Sequence, residues 1–387
     1  KQEAFHIETV RKEALHIVQH PNKENQQTRA IFRNLPLDGL MLESLFMLLE
    51  SLKAINFRNV SGRIDLSPGL NVFAGMNGQG KTNWLEAIAL LAAARSFRTA
   101  RLQEVVNFEA ESAAVLGAVR ESPEIVRDLQ VIIAGNTKTL SVNGKKETVN
   151  RYLGQLYAVV FTADELEIVR GTPESRRRFL DEGIVGLHPP FVQVLADYNR
   201  VIRQKNSLLD SAADQNLNID AVAERLEPWN EQLAKLAARI HRGRVRFVER
   251  VNEVLEKKLF GHEELTIEYV SPLAKHGDLT EYELLIAERL RARVQAELAA
   301  GHSLIGPHRD DLEIRFDGRD LRKFGSAGQQ RSALLLLLLS NIAVFNATRG
   351  EYPLFLIDDI DAELDYCRIG RLLEFLDPHS AVMPRTM

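Results

Sequence analysis

Gly75-Met76-Asn77-Gly78-Gln79-Gly80-Lys81-Thr82 is a complete G-x-x-x-x-G-K-T phosphate-binding loop, and its reading decides the fold class. The glycines let successive backbone N–H groups curl around an anionic phosphate without Cβ clashes. Lys81 brings a point charge to the β- and γ-phosphates, and the Thr82 hydroxyl is suited to hold Mg²⁺. The flanks agree with this. Leu70-Asn71-Val72-Phe73-Ala74 is a short apolar run that predicts a buried strand, and residues 83–94 have helix-forming composition. The loop then opens a helix, whose N-terminus also favours anions. These residues imply a nucleoside triphosphate as ligand.

Working outward, the 387-residue chain has room for two structural units or one large domain with an insertion. Its charge of −4 gives no global attraction to nucleic acid, so any such contact needs a local basic surface. A single cysteine, Cys367, excludes an intramolecular disulfide and a cysteine-rich metal site. Isolated histidines at 241, 262, 276 and 302 lack ligand spacing, so no transition metal is expected. The longest apolar run, residues 333–345, is interrupted by Ser340 and Asn341 and is too short to span a bilayer. The first 20 residues are charged and carry no apolar signal core, so a cytoplasmic protein without membrane contact is expected.

Four segments are predicted. Residues 1–46 are polar, without a clear period, and are expected to be an extension outside the fold. Residues 47–189 carry the phosphate loop and a run of strands at 52–57, 70–74, 113–119, 129–134, 139–142 and 157–161, with a hairpin signal at Asn143-Gly144. Residues 190–300 form a mainly helical arm, with amphipathic spacing at 233–240, a strand at 264–270 and a helix at 279–300. Residues 301–387 return to strands at 312–316 and 354–357, around a buried helix at 333–345.

The distal motifs specify the kind of site. Pro353-Leu354-Phe355-Leu356-Ile357-Asp358-Asp359 predicts a buried strand that delivers Asp358 to the Mg²⁺ beside Thr82, with Asp359 placed to orient the attacking water. Ser326-Ala327-Gly328-Gln329-Gln330 opens the leucine-rich helix. Alone it would be a helix N-cap built on Ser326. Beside the other motifs it predicts a second anion site at a helix N-terminus. One chain does not easily aim both sites at one γ-phosphate, whereas two chains meeting head to tail do, in a C₂ pair.

Taken in that order, these motifs resemble an SMC-like ABC-type ATPase head, and more closely the bacterial RecF family of recombination mediators. Arg95-Ser96-Phe97-Arg98, Phe161-Thr162-Ala163-Asp164-Glu165-Leu166, Arg176-Arg177-Arg178-Phe179-Leu180-Asp181 and Gly306-Pro307-His308-Arg309-Asp310-Asp311 complete the likeness, which runs from about residue 48 to 376. The resemblance implies an α/β fold: an ABC-type P-loop ATPase head with a helical arm inserted between its halves. It implies ATP bound by residues 75–82, signature contacts in trans from residues 326–330, Mg²⁺ on Thr82 and Asp358, and catalysis by Lys81 and Asp359. An aspartate has a shorter reach than the glutamate many such ATPases carry there, so turnover is expected to be slow. Residues 361–365 would line the dimer interface. Beyond Leu376 the family continues with another strand and a switch residue; residues 377–387 match neither, His379 is not assigned that role, and a shortened C-terminus is expected.

RecF-like proteins are expected to engage gapped or single-strand/double-strand junction DNA with ATP, as a homodimer, and to act with RecO and RecR in loading RecA. Arg95, Arg98 and Arg101 follow the phosphate-loop helix and are candidates for sequence-neutral phosphate contacts; Arg176–Arg178 and the basic residues between 242 and 258 are weaker ones. His308 reads as a structural turn residue rather than a catalytic base. Three other functions compete: another SMC-like repair ATPase, for which about 110 helical residues are too few to build a long coiled coil; a transporter nucleotide-binding subunit; and an ATP-holding scaffold without turnover.

Overall fold

The computed structural model describes residues 48–358, apart from 123, 215–217 and 259–263. The expected N-terminal extension, Asp359, residues 361–365 and the C-terminal tail with His379 lie outside the described residues.

The described residues open with an antiparallel sheet. Strands β1 (Leu48–Phe57), β2 (Val60–Asp65), β3 (Ser112–Ser122), β4 (Ile125–Ala134), β5 (Thr137–Val142) and β6 (Lys145–Glu147) lie in the order β2-β1-β3-β4-β5-β6. Alternation decides the buried face: along β3, Ala113, Val115 and Val119 point inward, and along β4, Leu129, Val131 and Ile133 do so. Asn143 and Gly144 both take positive φ, 50° and 74°, the left-handed pair that a tight two-residue hairpin requires between β5 and β6.

Helix α1 (Lys81–Ala93) is buried almost all round, with Trp84, Ala87, Ile88, Leu90 and Leu91 among its covered residues. Such a helix needs apolar partners on opposite sides. It finds the six-stranded sheet on one side and a parallel pair on the other, β7 (Ala158–Phe161) beside the late strand Leu354–Ile357, numbered β11 below. Both strands read as unbroken apolar runs, as expected where a parallel pair is covered on both faces.

The second half contains α2 (Pro173–Leu187), α3 (Phe191–Asp214), α4 (Ile219–Leu255), β8 (Leu265–Val270), α5 (Tyr282–Ala292), α6 (Val294–Ala300), β9 (Asp311–Phe316), β10 (Arg319–Asp320), α7 (Ala327–Arg349) and β11 (Leu354–Ile357). Strands β8, β9 and β10 form a separate antiparallel sheet. Leucines 334–339 of α7, Val159 and Phe161 of β7, and residues of α2 to α5 share one large core. A small third core, Leu209, Ala212, Val222, Leu226 and Val294, sits where α3, α4 and α6 meet.

The β7–β11 pair is therefore a wall between two cores. Ala158, Val160, Leu354 and Leu356 face the phosphate-loop helix, whereas Val159, Phe161, Phe355 and Ile357 face α7. Helix α7 is long and apolar enough to cross a membrane, but 72% of its most apolar window is buried inside the protein, which makes it a core helix.

Two expectations need correction. Residues 70–74 form no strand: they run as extended chain without a ladder partner among the described residues. Their apolar side chains do not share a buried face, for Phe73 packs on the core while Leu70 and Val72 are 57% and 58% exposed. The helix expected over 279–300 is a short 3₁₀ turn followed by two helices that break at Arg293, whose backbone leaves helical geometry (φ −109°, ψ 9°). Strand β2 and helix α2 were not anticipated, although Pro173 at the first turn of α2 is a start signal.

Candidate nucleotide-binding site

The loop runs from Gly75 into the first turn of α1. Gly80, the residue before the helix, has φ 90° and would place a Cβ 2.5 Å from Val60 Cγ1, so both the backbone angle and the close approach of β2 demand glycine. The Lys81 ammonium folds back inside the loop and donates to the carbonyls of Gly75 (2.7 Å) and Met76 (3.2 Å). The Gln79 side chain accepts from the Met76 N–H at 3.2 Å, closing the turn from within. Lys81 thus sits where a bound phosphate chain would meet it, with the α1 N-terminus behind.

At the end of the wall, on its α1 side, Thr82 Oγ1 donates to Asp358 Oδ1 at 3.0 Å, a contact between residues 276 apart in sequence. Parallel pairing makes it possible. Asp358 N–H donates to the Phe161 carbonyl at 3.0 Å, so the ladder extends one residue past β11 and fixes where the carboxylate leaves the strand. A hydroxyl and a carboxylate side by side at a phosphate loop are hard oxygen donors, the type Mg²⁺ takes together with phosphate oxygens and water. The residues present fit that ion, with Thr82 and Asp358 to hold it. Thr82 and Asp358 are thus brought into contact, with Lys81 held inside the neighbouring loop.

The signature turn forms a capping box. Ser326 Oγ accepts from Gln329 N–H (3.2 Å), Gln329 Oε1 accepts from Ser326 N–H (2.9 Å), and Gln330 donates to the Gly325 carbonyl (3.2 Å). The hydrogen bonds of residues 326–330 close on their own turn. Ser326 and Ala327 are exposed, and Phe324 just before them is 71% exposed.

The three arginine candidates differ. Arg95 pairs with Glu182 of α2 at 2.5 Å, and although burial opposes its charge, Glu182 holds the guanidinium pKa above its ordinary value. Arg98 donates to Asn83 (2.8 Å) and approaches Glu86 (3.4 Å). Arg101 is 79% exposed, with Glu104 only at 4.0 Å. Behind them lies a residue that sequence reasoning missed. Glu86 is fully buried and receives two hydrogen bonds from Arg58 (2.5 and 2.7 Å) and one from Ser96 (2.5 Å). A lone glutamate inside the apolar run 84–92 was the available signal, since a buried carboxylate requires partners.

The other family-like motifs form a joint that ties α2, α4 and the start of β9 together. Arg176 grips Asp311 with two hydrogen bonds (2.7 and 3.0 Å) and the Gly171 carbonyl (3.0 Å). Arg244 grips Asp181 (2.8 and 2.9 Å) and the Pro307 carbonyl (2.7 Å), while Arg177 donates to the Asp310 carbonyl (2.7 Å). The buried Asp310 carboxyl accepts from Ser271 (2.7 Å) and Tyr269. Burial pushes the His308 ring down to about 4, with the Ser303 carbonyl opposing. Nε2 faces that carbonyl (3.3 Å) and must carry the proton, so Nδ1 accepts from the Tyr198 hydroxyl (2.6 Å). His308 is a satisfied structural residue.

Residues 48–383 match the family described as the RecF/RecN/SMC N-terminal domain. The DNA replication and repair protein RecF of Pelotomaculum thermopropionicum is 36% identical over 343 residues, covering 85% of this chain and 92% of that protein. The chain belongs to the RecF family. The RecF of Halothermothrix orenii is 34% identical over 340 residues, covering 85% and 89% of the two chains. A solved structure of the recombination mediator RecF with ATP in the RecFOR pathway superposes with a TM-score of 0.80 at 30% identity, covering 88% of this chain and 92% of that one. The fold is accordingly that of an SMC-like ABC-type ATPase head, α/β in class, as the motif order implied.

Proposed function

We propose that this chain is an ATP-binding protein of DNA replication and repair, a RecF-type switch in which ATP joins two copies on DNA. The observation that carries this reading is the Thr82–Asp358 contact, because it unites the phosphate loop with a distant carboxylate in the arrangement an NTP–Mg²⁺ site requires. The N–H groups of the loop and Lys81 would hold the β- and γ-phosphates. Mg²⁺ on Thr82 and Asp358 would screen their charge. Asp359, next in the chain, would orient water, and its short side chain favours slow turnover.

Ser326 Oγ spends a lone pair on Gln329 and keeps its O–H proton to donate. In a head-to-tail pair that donor and the α7 N-terminus would meet the partner's γ-phosphate. The DNA would be gapped or a single-strand/double-strand junction, held through phosphates with Arg101 as the available cation. RecO and RecR are the expected co-workers in loading RecA, in the cytoplasm. Molar mass by light scattering tests the switch: a monomer that becomes a dimer only with ATP–Mg²⁺ supports it, and a monomer under both conditions sinks it. Ser326→Arg is expected to keep ATP binding and lose the dimer. Equal hydrolysis by the wild type and Asp359→Asn would leave an ATP-holding scaffold.

A further inference from the structure

The turn between β1 and β2 reaches the phosphate loop through one side chain. Asn59 Nδ2 donates to the Gly78 carbonyl at 3.0 Å, and its Oδ1 accepts from Asn83 Nδ2 at 2.5 Å. Asn83 Oδ1 in turn accepts from Arg98 Nη1 at 2.8 Å. The polarity of this chain of bonds is fixed at both ends. A guanidinium can only donate and a backbone carbonyl can only accept, so each amide between them has one allowed orientation. Arg98 leans on the buried Glu86, which also holds Arg58, the residue before Asn59. Arg58 sits at φ 48° with its N–H on the Val105 carbonyl at 2.6 Å, so the turn itself is pinned.

The consequence lies in the peptide that Asn59 grips. In a trans peptide the C=O and the following N–H point in opposite directions. Holding the Gly78 carbonyl outward therefore turns the Gln79 N–H inward, where it faces the Met76 carbonyl at 3.4 Å, beside the Lys81 ammonium. Gly78, at φ 80°, has no atom within 4 Å of where a Cβ would stand, so no packing of its own holds this peptide from that side.

We propose that Asn59 is the positioning residue of the phosphate loop, holding the Gly78–Gln79 peptide so that its N–H faces the β-phosphate. This inference rests on the reading of residues 75–82 as the nucleotide site. Asn59 touches no phosphate itself. It acts through the loop backbone, and Asn83, Arg98 and Glu86 keep it oriented.

The test is calorimetric titration of the full chain with ATP–Mg²⁺ and with ADP–Mg²⁺, both of which carry a β-phosphate, well below the melting temperature. Losing the Asn59 bond to the Gly78 carbonyl is expected to raise both dissociation constants about five- to tenfold in Asn59→Ala. The melting temperature without nucleotide should stay within about 2 °C, because Asn59 is exposed. The ³¹P resonance of the bound β-phosphate should shift, which a purely structural role would not produce. Asn59→Leu, near in volume but unable to donate, is the second variant and should show the same loss if the alanine variant folds poorly. Dissociation constants within about twofold of wild type in the folded variant overturn the inference alone. A wild-type chain that binds neither nucleotide overturns the site reading, and this inference with it.

Discussion

The phosphate loop and the joint between α2, α4 and β9 are both dense in polar groups, yet they are finished differently. At the joint two buried arginines are fully engaged: Arg176 and Arg244 each hold a carboxylate with two bonds and a carbonyl with a third. At the loop, Lys81 is held among the described residues by two loop carbonyls, and Arg101, after the loop's helix, stands in solvent. Saturated, buried charge costs several kcal/mol to disturb and does nothing else, so it marks construction. Charge left on borrowed partners marks a place where a ligand can arrive. Arginine clusters that look alike as sequence are sorted by this criterion.

The sharpest way to break the comparison is at the joint. Arg244→Ala strands Asp181 and the Pro307 carbonyl and should cost about 3 to 5 kcal/mol of stability, read as a shift in urea midpoint, with residual ATP affinity unchanged in the folded fraction. If it instead left stability intact and weakened DNA binding, the joint would belong to function. Lys81→Ala is the mirror experiment: ATP affinity should fall at least about a hundredfold, about 3 kcal/mol, while the ligand-free melting temperature hardly moves.

Smaller, and dependent on pH, is the cluster of Glu165, Glu182, Arg95 and Arg178 between the two regions. Burial pushes the Glu165 carboxyl up to about 7, Glu182 adds to the rise, and Arg178 and Arg95 oppose it. A raised carboxyl contributes stability that is complete below its ordinary value near 4.5 and is lost as pH rises through about 7. Glu165→Gln should therefore be more stable than wild type at pH 8, by on the order of 2 kcal/mol, with the gap closing below pH 4.5. Melting curves at pH 4, 6 and 8 decide this, and a constant gap would refute it. The smallest effect is expected for Arg101→Ala: about a threefold loss of DNA affinity and a salt slope lower by roughly one, with Arg98→Ala acting instead on nucleotide affinity.

What the sequence made legible followed from short-range rules. Short runs of strand-forming composition located β3, β4 and β9, Asn143-Gly144 located a hairpin, and the phosphate-loop spacing and the apolar run before Asp358 located Thr82 and Asp358, which the fold brings into contact. The failures share a cause. The run at 70–74 has strand composition, but a strand also needs an edge to pair with, which composition does not reveal. Whether Arg95 is a free cation depends on Glu182, 87 residues on, brought close only by the packing of α1 on the second half. Asn59 carries no motif at all; its role exists only because the β1–β2 turn folds against the loop.

The wall formed by β7 and β11 imposes a parity rule on the chain. Leu354 and Leu356 belong to one core and Phe355 and Ile357 to the other, and Asp358 takes its place by continuing that count. Removing or adding a single residue within 354–357 would invert the assignment of every side chain to its core and turn the carboxylate away from Thr82. Substitutions in this strand can be absorbed one at a time, but its length is quantised in steps of two, so the distance between loop and carboxylate cannot drift gradually as the rest of the head changes.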